Sequence, residues 1–145
     1  MIIEDNKIEK ICNFYVSDFH LEMILLPYIS KKIEEKEPII IISEKNLEKS
    51  LKELISKVNL DEETKIKILE LDWNSKNPKE IENNSNIILI GSKNFIESKK
   101  KKLYNSNLKN LKIIDCYNLE EVEGNIKEIV LTHDKNLNTL GVTNF

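Results

Sequence analysis

Apolar runs of strand length recur along this chain and alternate with segments of helical periodicity, which restricts the fold more than any other feature of the sequence. Most of the runs are continuous rather than alternating, as is typical of strands covered on both faces by helices. Such strands, joined through helices, form mostly parallel sheets. We predict six strands, over residues 11–16, 38–42, 66–71, 86–90, 111–115 and 128–131.

Three helices are predicted between these strands. Residues 43–58 place Leu47, Leu51, Leu54, Ile55 and Val58 on one helical face, with Ser43 as the N-cap. Residues 21–36 form another helix, in which Pro27 requires either a start near Leu26 or a kink, because proline fits only the first turn of a regular helix. Residues 92–106 form the third, with Ser92 as its N-cap.

The alternation of strands and helices predicts one α/β domain over residues 1–145, a three-layer α/β/α sandwich with a mostly parallel sheet of five to six strands. A chain of this length buries about two thirds of its unfolded surface. Cys12 and Cys116 lie within apolar runs, so we predict buried free thiols rather than a disulfide.

Several classes of function are disfavoured by composition. The chain has only three glycines, Gly91, Gly124 and Gly141, so it has neither a nucleotide-binding P-loop nor a GxGxxG fingerprint. HExxH, CxxC and GxSxG motifs are also missing, and we predict no metal and no cofactor. The net charge is −3, there is no arginine, and no aromatic residues interleave with the lysine run 99–102, so nucleic acid is not an expected partner.

Membrane association and export are not expected either. The longest apolar block, residues 38–42, is far shorter than a membrane span, which needs about 20 residues. The N-terminus lacks a basic region followed by a long apolar run. We therefore expect a soluble, cytoplasmic protein.

Polar residues that follow the predicted strands form the candidate site. In parallel α/β sheets, ligands bind beyond the carboxyl ends of the strands, where the strand order reverses. Both histidines and the single tryptophan fall at such positions. Imidazole titrates near neutrality and carboxylates can fix its tautomer, so acid/base or metal chemistry is conceivable there. The candidate ligand-binding residues are Asp18, His20, Ser43, Asp72, Trp73, Ser92, His133 and Asp134.

Residues 10–42 resemble the start of the MEDS domain, a sensory module named after DcmR. That family opens with a short strand ending in an aromatic pair, then a polar corner, a helix that contains proline, a short turn ending in Glu, and an apolar strand. Lys10 stands where the family has histidine. The matching positions are Cys12, Phe14, Tyr15, Leu26, Pro27, Tyr28, Ile29, Ile33, Glu37 and Ile39–Ile42.

The resemblance implies a RecA/KaiC-like core that has lost its phosphate loop, with Asp18 and His20 where glycines and lysine would be. We therefore favour a non-enzymatic sensory or regulatory domain that binds a small molecule or a protein partner at the carboxyl edge of the sheet. One alternative is a small hydrolase or metal-dependent enzyme using His20, His133, Asp18 and Asp72. The other is a pure protein-interaction module, for example a homodimer.

Overall fold

The computed structural model describes residues 8–78 and 80–145. The strands are β1 (Glu9–Tyr15), β2 (Ile39–Ser43), β3 (Asn86–Ile90), β4 (Lys112–Asn118), β5 (Lys135–Asn138) and β6 (Gly141–Asn144). The helices are α1 (Asp18–Glu34), α2 (Glu48–Ile55), α3 (Glu62–Glu70), α4 (Lys93–Tyr104), α5 (Leu119–Val122) and α6 (Ile126–Leu131), with a 3₁₀ turn at Glu123–Asn125.

The six strands form one sheet in the order β2-β3-β4-β1-β5-β6. The first five strands along this order are parallel, and only β6 runs antiparallel to its neighbour. From β1 the chain crosses to β2, at one edge of the sheet. From β4 it crosses in the opposite direction, past β1, to β5. The strand order therefore reverses at β1 and β4, and their carboxyl ends mark the switch point of the sheet.

Helices cover both faces of the sheet, as the three-layer prediction required. One hydrophobic core joins α1, α2 and the Trp73 indole to inward-facing strand residues such as Ile88 and Ile114. The second core, on the opposite face, joins α4 and α6 to alternate strand residues such as Ile87 and Ile113. Because neighbouring residues of a strand point to opposite faces, the continuous apolar runs fill both cores.

Two of the predicted strands are wrong. Residues 66–71 lie mainly in α3, whose N-cap Asp61 accepts a hydrogen bond from the Thr64 N–H. An ion pair between Lys67 and Glu63, one helical turn apart, adds further support. Residues 128–131 belong to α6, in which Ile126, Ile129 and Val130 have helical rather than strand spacing.

The sheet nevertheless has six strands because a hairpin at residues 135–144 provides β5 and β6. Its two-residue connection is Thr139 and Leu140. The Asn138 side chain accepts a hydrogen bond from the Leu140 N–H, and Gly141 has φ of +108°, which few residues other than glycine adopt. This hairpin was not predicted from the sequence.

The predicted helix boundaries hold in part. Helix α1 begins at Asp18 and contains Pro27, so the predicted alternative of a start near Leu26 is wrong. Ser92 caps α4 as predicted and accepts a hydrogen bond from the Phe95 N–H. Ser43 does not cap a helix, since it is the buried last residue of β2 and α2 begins only at Glu48.

Cys12 and Cys116 are buried free thiols, as predicted. Among the helices that the structure describes, none has the length and apolar character needed to cross a membrane.

Candidate functional site

The corner between β1 and α1 occupies the switch point of the sheet. Ser17 is the N-cap of α1, and its hydroxyl accepts a hydrogen bond from the His20 N–H at 3.1 Å. The His20 ring folds back over the same corner, where its Nδ1 accepts from the Val16 N–H at 3.0 Å. In a phosphate loop, backbone N–H groups at this place point at the ligand. Here two of them are already bound by side chains of the corner itself.

Asp18 and Lys45 connect this corner to the carboxyl end of β2. Their carboxylate and ammonium lie 3.0 Å apart, with side chains 52% and 39% exposed. The ammonium also lies 5.3 Å from the centre of the Tyr15 ring. Ser43 shapes the turn that carries the lysine, because its hydroxyl accepts from the Lys45 N–H and donates to the Lys45 carbonyl. Asp18 and Ser43 thus lie at one edge, as predicted.

The N-terminus of α4, after β3, is occupied in a similar way. Glu44 accepts a hydrogen bond from the Ser92 N–H at 2.9 Å, so a carboxylate of the chain lies where the helix dipole favours an anion. Gly91 makes this close approach possible, because a Cβ there would lie 2.7 Å from Phe95 Cδ2 and 2.9 Å from Glu44 Oε1. Ser92 is therefore at the predicted edge, with its hydroxyl used as the helix cap.

Asp72 and Trp73 follow helix α3 rather than a strand, which corrects their expected setting. Trp73 is only 1% exposed, and its indole N–H donates to the Ile68 carbonyl at 2.8 Å. It is therefore a core residue. Asp72 closes a turn by accepting from the Asn74 N–H.

His133 and Asp134 precede β5 and do not end a strand, which corrects their expected position at the carboxyl edge. Asp134 exchanges hydrogen bonds with the backbone of Lys10, at the amino end of β1. His133 contacts Asp115, which lies opposite Cys12 in the sheet, whereas His20 contacts Val16. Cys12 and Val16 are about 13 Å apart along an extended strand, so the two imidazoles do not face one site.

A buried ionic cluster in the middle of the sheet was not predicted. Asp115 lies within β4, and its Oδ2 is 2.6 Å from His133 Nε2 and 2.8 Å from Lys100 Nζ. The Asp115 and His133 side chains are 1% exposed, and that of Lys100 is 13% exposed. Tyr117 adds a weaker contact at 3.4 Å. Lys100 of α4, His133 before β5 and Tyr117 of β4 thus all contact the same oxygen of the Asp115 carboxylate.

The orientation of His133 is fixed from both sides of its ring. Nδ1 lies 2.6 Å from the Ile129 carbonyl, which can only accept, and Nε2 faces the Asp115 carboxylate. Burial disfavours the charged form of Lys100, but the adjacent Asp115 carboxylate outweighs this and raises the pKa of the lysine. The positive charge of Lys100 therefore compensates the negative charge of Asp115 within the core.

The Cys12 thiol lies opposite Asp115 in the sheet and is not activated there. Burial, followed by the charge of Asp115, raises the pKa of Cys12 to about 12, so its thiol stays protonated at neutral pH. A cavity of about 330 Å³ adjoins the cluster and is lined by Lys100, Tyr117 and Ile129. Asp115 Oδ1 is buried and has no hydrogen-bond partner among the described residues.

The sequence contained one signal for this cluster, which was the single acid in the otherwise apolar and aromatic stretch 113–117. A charged residue is almost never fully buried unless it is paired. That rule indicates that Asp115 has partners, but it does not identify them.

Across residues 8–78 and 80–145, no group of three or more His, Cys, Asp or Glu side chains is arranged to hold a metal ion. Comparisons of the chain with protein-family models, with curated proteins and with solved structures found no match.

Proposed function

We propose that this chain is a non-enzymatic regulatory or sensory domain that binds a protein partner or a small molecule at the carboxyl edge of its sheet. One observation carries the proposal. At the switch point, the backbone N–H groups of His20, Val16 and Ser92 already bind the side chains of Ser17, His20 and Glu44, respectively. An incoming phosphate would have to displace these groups and approach the Glu44 carboxylate, so nucleotide chemistry is disfavoured.

We also propose that the chain is related to the MEDS family, which residues 10–42 resemble. In support, β1 ends at the aromatic pair Phe14 and Tyr15, and a polar corner follows. The helix that contains Pro27 and the apolar strand β2 then succeed one another in the order of the motif. A core of this kind whose phosphate site is filled by its own side chains would relay a signal rather than hydrolyse a nucleotide.

A protein partner suits this edge better than a small molecule. Val16 is 64% exposed and Phe19 is 62% exposed, and both lie within two residues of Asp18, which forms an exposed ion pair with Lys45. Exposed apolar side chains surrounded by charged groups are typical of protein contacts. Three cavities of about 530, 500 and 330 Å³ are lined by residues outside this corner.

Site-specific photocrosslinking in the native cell tests the proposal. A photoreactive phenylalanine analogue placed at Phe19 is expected to give a discrete adduct with one protein. Reversing the adjacent charge with Asp18→Lys should abolish that adduct. The same analogue at Ile66, which is 54% exposed on α3, is the matched control and should give none. Adducts at both positions, or at neither, would refute a partner at this edge.

Nucleotide binding is tested separately by NMR titration with Mg-ATP. We expect no saturable shifts for residues 16–20 or 91–95, because the N–H groups of Val16, His20, Ser92 and Phe95 already have partners within the chain. Saturable shifts there with a micromolar Kd, equivalent to about 8 kcal/mol of binding free energy, would contradict the idea of a lost phosphate site.

A further inference from the structure

A cavity of about 530 Å³ lies beside α1 and the β5–β6 hairpin, and it shares no lining residue with the β1–α1 corner. One wall is the second half of α1, including Pro27, Tyr28 and Lys31. The floor consists of residues near the starts of β1, β4 and β5, and the hairpin connection closes the side. Ligand cavities in proteins commonly measure about 300–1,000 Å³, so this one is large enough for a small organic molecule.

The strand register explains why these residues share one floor. Glu9 of β1 pairs with Lys112, and Ile11 pairs with Lys135. Residues paired across neighbouring strands point to the same face, and Glu9 and Ile11 do so because they are two residues apart. The face is the one that α1 packs on, since Ile11 belongs to the same core as Leu25 of that helix.

The lining is basic although the chain is acidic. Four lysines line the cavity, Lys31, Lys32, Lys112 and Lys135, against the single carboxylate of Glu9. The whole chain, in contrast, carries a net charge of −3. Four ammonium groups that converge on one concave surface produce a local positive potential, which attracts anions.

The carboxylates around the cavity leave one of its lysines free. Lys135 binds Glu9 at 3.2 Å, while Lys32 and Lys112 share Glu37, each at 3.5 Å. Lys32 also binds Glu35 at 3.1 Å. The Lys31 ammonium has no partner within the part of the chain that the structure describes. Glu9, Glu35 and Glu37 thus carry three negative charges against the four positive charges of the lysines. The one excess positive charge belongs to Lys31.

The remaining lining is apolar and comes largely from the hairpin. Val142 lies opposite Leu137 in the register and therefore faces the same side as Ile11, yet it is 40% exposed. Leu140 is 91% exposed and also lines the cavity. Residues 136–145 contain no charged side chain, although 32% of the chain is charged. This hairpin thus places an uncharged, partly apolar surface beside the lysines.

We propose that this cavity binds a small amphipathic anion, a carboxylate or phosphate ester with an apolar body. The anionic group contacts the Lys31 ammonium, and the apolar body lies against Val142 and Leu140. None of the lining residues belongs to the β1–α1 corner, so this site is independent of the function proposed above. A regulatory domain with both sites would take a small effector in the cavity and contact its partner at the corner.

Isothermal titration of the whole chain with decanoate, below its micelle concentration, tests this proposal. Decanol and decyltrimethylammonium provide the same apolar body with no charge or with the opposite charge. We expect saturable 1:1 binding of decanoate that is at least about tenfold tighter than that of either control, since one charge contact is worth about a factor of ten. Equal binding of the three probes, or no saturable binding of decanoate up to about 5 mM, would overturn the proposal.

Two matched pairs of variants locate the binding site. Lys31→Glu should weaken decanoate binding at least about tenfold, whereas Lys52→Glu, the same change on the exposed face of α2, should leave it within about twofold. Leu140→Ser should weaken it at least about threefold, whereas Leu131→Ser, at a position 77% exposed outside the cavity, should not. All four side chains are exposed, so these variants should fold. Equal effects within either pair, or binding to anionic vesicles instead of to free decanoate, would refute the assigned site.

Discussion

Removing the Asp115 carboxylate is expected to be among the most destabilising single changes in this protein. Asp115→Leu fills a similar volume, but it leaves the Lys100 ammonium and the His133 imidazole without their shared acceptor. Breaking a buried charge pair by removing one partner typically costs about 3–5 kcal/mol. Since 13% of the Lys100 side chain is exposed, its ammonium can turn towards water, and we expect the lower end, about 3 kcal/mol.

The companion change, Lys100→Met, should cost less, because Asp115 keeps its hydrogen bond to His133 at 2.6 Å. Loss of one hydrogen bond to a charged group amounts to about 1.5–3 kcal/mol. In the Asp115→Leu/Lys100→Met double variant, no unpaired lysine remains. Its loss of stability should therefore be at least about 1 kcal/mol smaller than the sum of the two single losses.

Urea unfolding monitored by fluorescence measures these differences. Trp73 is the only tryptophan and is 1% exposed, so its emission should report the loss of the core. Asp18→Leu is the control, because it removes a carboxylate from the exposed ion pair with Lys45 and should cost about 1 kcal/mol or less. If Asp115→Leu cost no more than this control, or if the two changes at the cluster were additive, the cluster would not be a coupled ionic unit.

Three further predictions concern packing and thiol reactivity. Leu51→Ala should cost about 2–5 kcal/mol in urea melts, because Leu51 is 1% exposed, while Lys52→Ala changes little; equal effects would show that α2 faces the wrong way. Gly91→Ala should cost about 1–3 kcal/mol, because the new methyl group would lie 2.7 Å from Phe95 Cδ2, and unchanged stability would contradict that contact. Burial raises the pKa of Cys12 to about 12. Alkylation of its thiol at pH 8 should therefore be at least about a hundredfold slower in the folded protein than in urea. Comparable rates would disprove its burial.

The fold class follows from local patterns in the sequence. The continuous apolar runs at 38–42 and 86–90 form strands whose alternate residues contribute to both cores. They were recognisable because each residue of such a strand is buried, whichever face it points to. Ser92 was identifiable as a helix cap for a similar reason, because the capping hydrogen bond spans only three residues.

The wrong assignments lie where local patterns are ambiguous. The four-residue run 128–131 and the run 66–71 are short enough to suit either a strand or a helix. Residues 66–71 are helical because Asp61 caps α3 and Ile68 packs in one core. Residues 128–131 are helical because Ile129 of α6 packs in the other core. The hairpin at 135–144 has weak patterning of its own, and it forms a strand pair because β1 offers a free edge beside it.

The arrangement of functional groups was decided by the tertiary structure alone. Asp115 and His133 are 18 residues apart, and they meet only because α6 returns the chain to β5 beside β1. Similarly, the lysines at positions 31, 112 and 135 surround one cavity only because β4 and β5 both neighbour β1. The sequence by itself determined which segments are apolar, helical or capped, since those properties depend on neighbours along the chain. Strand order depends on the packing of all the segments together, and it alone fixed which charged side chains meet.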